Sequence, residues 1–126
     1  EPPENFYLCS LMLDNLSEEN AYRRLAIQVM EGMLPLKHYG GRTKFAILGA
    51  LIDLYMLEKN NVVWNEIVRF LDEFRYAEFA YQKTKKREAL EIALSFCNGG
   101  KKSPRMRKLL KECFPEDKPY VLSFLV

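Results

Sequence analysis

The sequence predicts an all-α fold in which about six to seven helices pack as antiparallel hairpins, as a right-handed α-solenoid-like array or an irregular helical bundle. Two observations lead to this prediction. Helix-forming residues dominate every segment with a regular apolar period, and the few β-branched residues do not alternate with polar ones. The chain is 48% hydrophobic, and its 126 residues are long enough to bury one core without metal or disulfide cross-links. We therefore expect one α-helical domain over residues 1–126, as a fragment of a longer protein.

A first helical hairpin is predicted over residues 6–33. Apolar residues recur at three- and four-residue spacing between Phe6 and Leu13, which is typical of one buried helix face. Ser17 is placed to cap the second helix of this hairpin through its side-chain hydroxyl. The apolar stripe of that second helix ends at Met33.

A second hairpin is predicted over residues 43–74. Thr43 is expected to cap a helix that is apolar on more than one side and therefore central. Asn60-Asn61 predicts a stop and a restart, because Asn tolerates the left-handed conformation at a helix end and can cap the next helix. The next helix is expected to turn Trp64 away from its buried stripe. That stripe consists of Val63, Ile67, Phe70, Leu71 and Phe74.

The remaining chain, residues 84–126, is predicted to form basic C-terminal helices. An unbroken helix from residue 62 to 97 would be about 54 Å long, so we expect a bend between Arg75 and Thr84. A helix with an apolar face then ends at Asn98-Gly99-Gly100. Ser103-Pro104 marks the start of a short helix that stops at Pro115. Asp117 is expected to cap a final turn or two.

The two hairpins share a pattern with a 39-residue offset. Phe6, Leu8, Met12, Leu13 and Asp14 recur as Phe45, Ile47, Leu51, Ile52 and Asp53. The segments LAIQVMEGM, FAILGALIDLYMLEKN and WNEIVRFLDEF, between residues 25 and 74, resemble the helices of pentatricopeptide and tetratricopeptide repeat proteins. The offset itself is closer to the period of about 40 to 47 residues of HEAT-type repeats. The resemblance implies stacked hairpins with an open face for a partner.

Residue types needed for catalysis or metal binding are sparse. The single His38 and the cysteines Cys9, Cys97 and Cys113 lack the short spacing of metal ligands, and we interpret the cysteines as buried small hydrophobes in a reducing compartment. The loop before Ser103 lacks the first glycine of a phosphate-binding Walker loop. No segment approaches the roughly 18 uninterrupted apolar residues of a membrane span. We predict a non-enzymatic protein without cofactor, metal or membrane association, located in the nucleus or the cytoplasm.

Charge is distributed unevenly along the chain. The formal net charge of +2 is the sum of −4 up to Phe74 (7 basic and 11 acidic residues) and +6 after it (12 basic and 6 acidic). One basic cluster spans residues 83–87. The second is a candidate site for nucleic acid or another anion, with a solvated face or a nuclear import signal as the alternative. It consists of Lys101, Lys102, Arg105, Arg107, Lys108 and Lys111.

Three functions remain open at this point. The first is a protein–protein interaction module, an adaptor or scaffold, that binds a partner peptide or subunit through an apolar helical groove lined by Trp64, Tyr76, Phe79 and Tyr81. The second is an RNA- or DNA-binding module that uses the basic cluster of residues 101–111. The third is self-association through the apolar C-terminal segment, residues 121–126.

Overall fold

A computed structural model describes Gln28 and residues 41–125 of the chain. Over these residues the chain is all-α and contains no strand. The helices are α1 (Gly41–Glu58), α2 (Asn61–Arg69), α3 (Phe74–Thr84), α4 (Arg87–Ser95), α5 (Pro104–Glu112) and α6 (Lys118–Ser123). The predicted hairpin over residues 6–33, the first copy of the 39-residue pattern, Cys9 and His38 lie outside the described residues. None of the helices described has the length and apolar character needed to cross a membrane.

The contacts divide the chain into two compact units. The N-terminal unit covers residues 1–70 and the C-terminal unit covers residues 71–126. In the described part of the first unit, α1 packs against α2. In the second unit, α3 packs against α4, and α5 contacts α6.

Helix α1 is buried over more than half of its circumference, as its sequence predicts. Its buried side chains include Ile47, Leu48, Ala50, Leu51, Ile52, Leu54 and Tyr55. The prediction that Thr43 caps this helix is wrong, because the helix already includes Gly41. Burial of the apolar face outweighs the cost of about 1 kcal/mol that a helical glycine carries.

The predicted stop and restart between α1 and α2 is confirmed, although Lys59 and not an asparagine takes the left-handed conformation, with a φ of 53°. Asn60 caps α2, because its side-chain oxygen accepts a hydrogen bond from the Val62 N–H at 2.7 Å. Trp64 was expected to face away from the core, and that expectation is wrong. Its side chain is buried, and its ring lies 5.3 Å from the ring of Tyr55.

The long helical segment is broken, as expected, but not where the sequence predicted. Helix α2 ends at Arg69 and α3 begins at Phe74, so the first break precedes the expected interval 75–84. Helix α3 runs through that interval and ends where Lys85 adopts a φ of 60°. It stays unbroken because one face is buried throughout, through Tyr76, Ala77, Ala80 and Tyr81.

Helix α5 begins as predicted. Pro104 occupies its first turn, and the Ser103 hydroxyl accepts a hydrogen bond from the Met106 N–H at 3.3 Å. Gly99 and Gly100 precede it with φ values of 92° and 55°, a conformation that glycine adopts at little cost.

Asp117 directly precedes α6, yet its side chain makes no capping hydrogen bond. This corrects the predicted cap. The carboxylate instead accepts a hydrogen bond from the Tyr81 hydroxyl at 2.7 Å and two from the Arg87 guanidinium at 3.0 and 3.2 Å. The Phe114 N–H donates to the Tyr81 oxygen at 3.0 Å. Because Asp117 is 6% exposed and Tyr81 is fully buried, this network fixes Phe114 and Asp117 to Tyr81 on α3 and to Arg87 at the start of α4.

The buried Tyr81 makes stability sensitive to alkaline pH. Burial, and next the hydrogen bond to Asp117, raise the pKa of Tyr81 far above its usual value. The unfolded chain loses this proton near pH 10, whereas the folded chain keeps it. The free energy of unfolding should therefore fall above about pH 10, by about 1.4 kcal/mol per pH unit for this one proton.

Urea unfolding of the wild type and of Tyr81→Phe between about pH 8 and 11 measures this effect. We expect the variant to be less stable at pH 8 but to lose stability less steeply above pH 10. Parallel pH profiles for the two proteins would show that Tyr81 does not contribute this alkaline sensitivity.

Candidate functional site

The basic residues of the second cluster are exposed at the start and along the length of α5, where Arg105 and Lys108 lie on one side of the helix and Arg107 and Lys111 on another. Lys101 and Lys102 lie on a single 3-10 turn, Gly100–Lys102, immediately before the helix. The opposite side of α5 is fixed in the core by Met106 and Leu109. The six basic residues, Lys101, Lys102, Arg105, Arg107, Lys108 and Lys111, are all exposed. We call this set the α5 basic face.

The two arginines of the α5 basic face are oriented by neutral groups. Arg105 donates to the carbonyl oxygen of Phe96 at 3.0 Å, and its guanidinium lies 5.4 Å from the centre of the Phe74 ring. Arg107 donates to the carbonyl oxygen of Lys102 at 3.2 Å. A carbonyl neutralises no charge, and a guanidinium has five N–H donors. Both arginines therefore keep their full charge and free donors for an anion.

Lys108 differs from the other five because a carboxylate already neutralises it. Its Nζ donates to Glu78 Oε1 on α3 at 2.9 Å. The hydrogen bond and the charge of Glu78 raise the pKa of Lys108 above its usual value. The Glu78 side chain is 12% exposed and that of Lys108 is 51% exposed. The pair thus joins a buried acid to the edge of the basic face.

This pair predicts opposite stability effects for two lysines on the same helix. Lys108→Ala leaves the buried Glu78 without its partner, and we expect it to lower the free energy of unfolding by roughly 2 kcal/mol. Lys111→Ala is the matched control, since Lys111 is exposed, and its effect should stay within about 0.5 kcal/mol. Denaturant unfolding of both variants tests the expectation. An equal effect of the two substitutions would contradict a structural role for Lys108.

The side-chain amines of three lysines of the α5 basic face, Lys101, Lys102 and Lys111, have no hydrogen-bond or ion-pair partner among residues 41–125. Glu112 is an exposed acid next to Lys111 at the end of α5. With the charge of Lys108 neutralised by Glu78, five unneutralised cations remain on this face. This arrangement suits contact with several negative charges.

The aromatic residues predicted to line a partner groove are placed differently. Trp64, Tyr76 and Tyr81 are 4%, 2% and 0% exposed, so the prediction that these three rings face a partner is wrong. They pack in the core because each lies on the apolar stripe of its helix. Phe79 is half-buried, with Lys83 Nζ 5.9 Å from the centre of its ring.

The described cysteines are half-buried and free of disulfides. Burial raises the pKa of the Cys97 and Cys113 thiols, which keeps them protonated and weakly nucleophilic at neutral pH. Within residues 41–125, no three His, Cys, Asp or Glu side chains are grouped to hold a metal ion.

Sequence reasoning found the α5 basic face but missed Glu78. A signal was present: Phe74, Ala77, Glu78 and Tyr81 have the spacing of one helix face, and their neighbours on it are apolar. An acid on a buried face requires a basic partner. The sequence could therefore have indicated that one lysine or arginine forms an ion pair with Glu78. That this residue is Lys108 follows only from the contact between α5 and α3.

Comparisons with the models of protein families, with curated proteins and with solved structures found no match for this chain. The resemblance to helical-repeat families therefore stays a prediction from the segments between residues 25 and 74.

Proposed function

We propose that this chain is a non-enzymatic helical binding module whose C-terminal unit binds the phosphate backbone of a nucleic acid. The α5 basic face supports this proposal most directly. It exposes Lys101, Lys102, Arg105, Arg107 and Lys111 on the solvent side of α5 and on the turn before it, while Met106 and Leu109 fix the helix in the core. Clustered lysines and arginines neutralise phosphates and release counterions, which drives association with nucleic acids.

The composition of this surface favours a nucleic acid over a protein as its partner. Between residues 98 and 112, the exposed residues are Asn98, Gly99, Gly100, Lys101, Lys102, Pro104, Arg105, Arg107, Lys108, Lys111 and Glu112. None of them is aromatic or has a large apolar side chain. Protein interfaces concentrate aromatic and apolar anchors at their centres and are depleted of lysine, whereas interfaces with DNA are strongly positive. Contact through phosphates alone predicts weak sequence preference.

A direct binding measurement tests the proposal. Labelled single-stranded RNA and a labelled DNA duplex are titrated with the protein at about 50 mM salt, and a poly-glutamate peptide serves as the competitor. We expect saturable binding to nucleic acid that the peptide displaces poorly. Absence of binding at low salt contradicts the proposal, and equal affinity for the acidic peptide would instead favour an acidic protein partner.

A protein partner is a second candidate, supported by a different surface in the N-terminal unit. Met56 and Leu57 at the end of α1 and Val62 at the start of α2 are 41%, 56% and 59% exposed. These apolar side chains flank one short turn, and a second copy of the chain could cover them. Sedimentation over a concentration series tests this candidate. We expect a dimer that Leu57→Asp with Val62→Asp disrupts, and a wild type that stays monomeric would rule it out.

A further inference from the structure

The Glu78–Lys108 pair bears on which of the six basic residues can reach a phosphate. Glu78 Oε1 binds Lys108, and Glu78 Oε2 is a buried oxygen without a hydrogen-bond partner. Among the described residues, Lys108 is therefore the single hydrogen-bond donor to this carboxylate. If a buried carboxylate loses its last hydrogen-bond donor, the folded protein becomes much less stable.

We propose that Glu78 withholds Lys108 from the phosphate backbone, so that Glu78 sets the number of phosphates that the α5 basic face can neutralise. This inference rests on the proposed function and specifies it. Moving the Lys108 Nζ to a phosphate would leave both Glu78 oxygens without a donor. The contact between Lys108 and the phosphate would then have to offset two costs. One is the free energy of leaving the buried Glu78 carboxylate unpaired, and the other is the desolvation of the phosphate. The wild type accordingly engages five cations, and a chain without the Glu78 charge engages six.

The other five cations have no such restraint. Arg105 and Arg107 donate to carbonyl oxygens and keep further N–H donors, and no carboxylate among the described residues bonds to Lys101, Lys102 or Lys111. Lys108 has the exposure and the flexible stem to reach outward once it is released, since its side chain is 51% exposed. The restraint on Lys108 is therefore the pairing with Glu78 and not burial of the lysine.

The test is the salt dependence of binding to a short labelled DNA duplex. Each phosphate neutralised contributes about 0.9 to the magnitude of the slope of log affinity against log salt. Glu78→Gln should increase that magnitude by about 0.9 and tighten binding roughly fivefold at about 50 mM salt. The double variant Glu78→Gln with Lys108→Gln should return the slope to the wild-type value, because the released lysine is then gone.

Glu112→Gln is the matched control, since Glu112 also carries a negative charge that acts on Lys108 but accepts no hydrogen bond from its amine, so the bond between Lys108 and Glu78 remains. It should leave the slope unchanged. If Glu78→Gln and Glu112→Gln change the slope equally, or if Glu78→Gln leaves it unchanged while the wild type binds, the inference is overturned and the proposed function stands. A wild type that does not bind the duplex at low salt overturns the proposed function, and this inference with it.

A second measurement does not depend on any variant folding. The amine of Lys108 should react with an acylating reagent more slowly than the amine of Lys111 in the wild-type protein, because Glu78 holds Lys108 protonated and hydrogen-bonded. Mass spectrometry of peptides after brief labelling measures both rates. Equal rates would overturn the restraint on Lys108.

Discussion

Replacing Asp117 by alanine should lower the free energy of unfolding by roughly 3 kcal/mol. The carboxylate accepts three hydrogen bonds, one from Tyr81 and two from Arg87. Its removal leaves the Tyr81 hydroxyl buried without an acceptor, and this loss dominates the expected effect. The loss of the Arg87 hydrogen bonds contributes less to the destabilisation, because the Arg87 side chain is 48% exposed and water can replace the carboxylate.

Glu116→Ala provides the control for that experiment. Glu116 is an adjacent acid on the same 3-10 turn and is exposed, so its replacement should change stability by less than about 0.5 kcal/mol. Chemical denaturation of both variants at neutral pH gives the comparison. If Asp117→Ala unfolds at the wild-type denaturant concentration, the network does not hold the C-terminal unit together.

The largest functional effect is expected from Lys101, Lys102 and Lys111. Replacing all three by glutamine removes three of the five proposed phosphate contacts, and we expect the affinity for duplex DNA to fall at least about 100-fold at about 50 mM salt. The free energy of unfolding should change little, because these lysines are exposed and their side-chain amines have no hydrogen-bond or ion-pair partner among the described residues. Binding titrations and unfolding curves of the same variant separate the two effects.

A charge-matched variant distinguishes a site from general attraction. Lys59, Lys83 and Lys118 are exposed lysines outside the α5 basic face, and replacing them by glutamine changes the net charge by the same amount. This variant should keep most of the affinity. Equal losses in the two triple variants would mean that overall charge and not the α5 basic face determines binding.

Helix boundaries that depend on local chemistry could be predicted from the sequence. Ser103-Pro104 starts α5 and Asn60 caps α2 because a side-chain oxygen satisfies free N–H groups within a few residues of itself. The predicted break, between residues 75 and 84, lies later in the chain than the observed one between Arg69 and Phe74. The position of a break depends on which side chains the tertiary packing buries, and the sequence does not show this.

The side chains that were assigned incorrectly are those whose surroundings depend on packing beyond their own helix. Asp117 has the sequence position of a cap, yet it binds Tyr81, which is 36 residues earlier. Trp64 and Tyr76 have the size of interface residues but lie in the core. The α5 basic face could be predicted because lysine and arginine side chains are mostly exposed. The pairing of Lys108 with Glu78 could not, because it depends on a contact between residues 30 positions apart.

Binding of the α5 basic face to the phosphate backbone is measured by the salt dependence of the affinity of the wild type for duplex DNA. Five phosphate contacts predict a slope of log affinity against log salt close to −4.5, which corresponds to a loss of roughly 500-fold between about 50 and 200 mM salt. Such a slope would support an α5 basic face that binds the phosphate backbone. An affinity that does not change with salt, or no binding at about 50 mM, would contradict it.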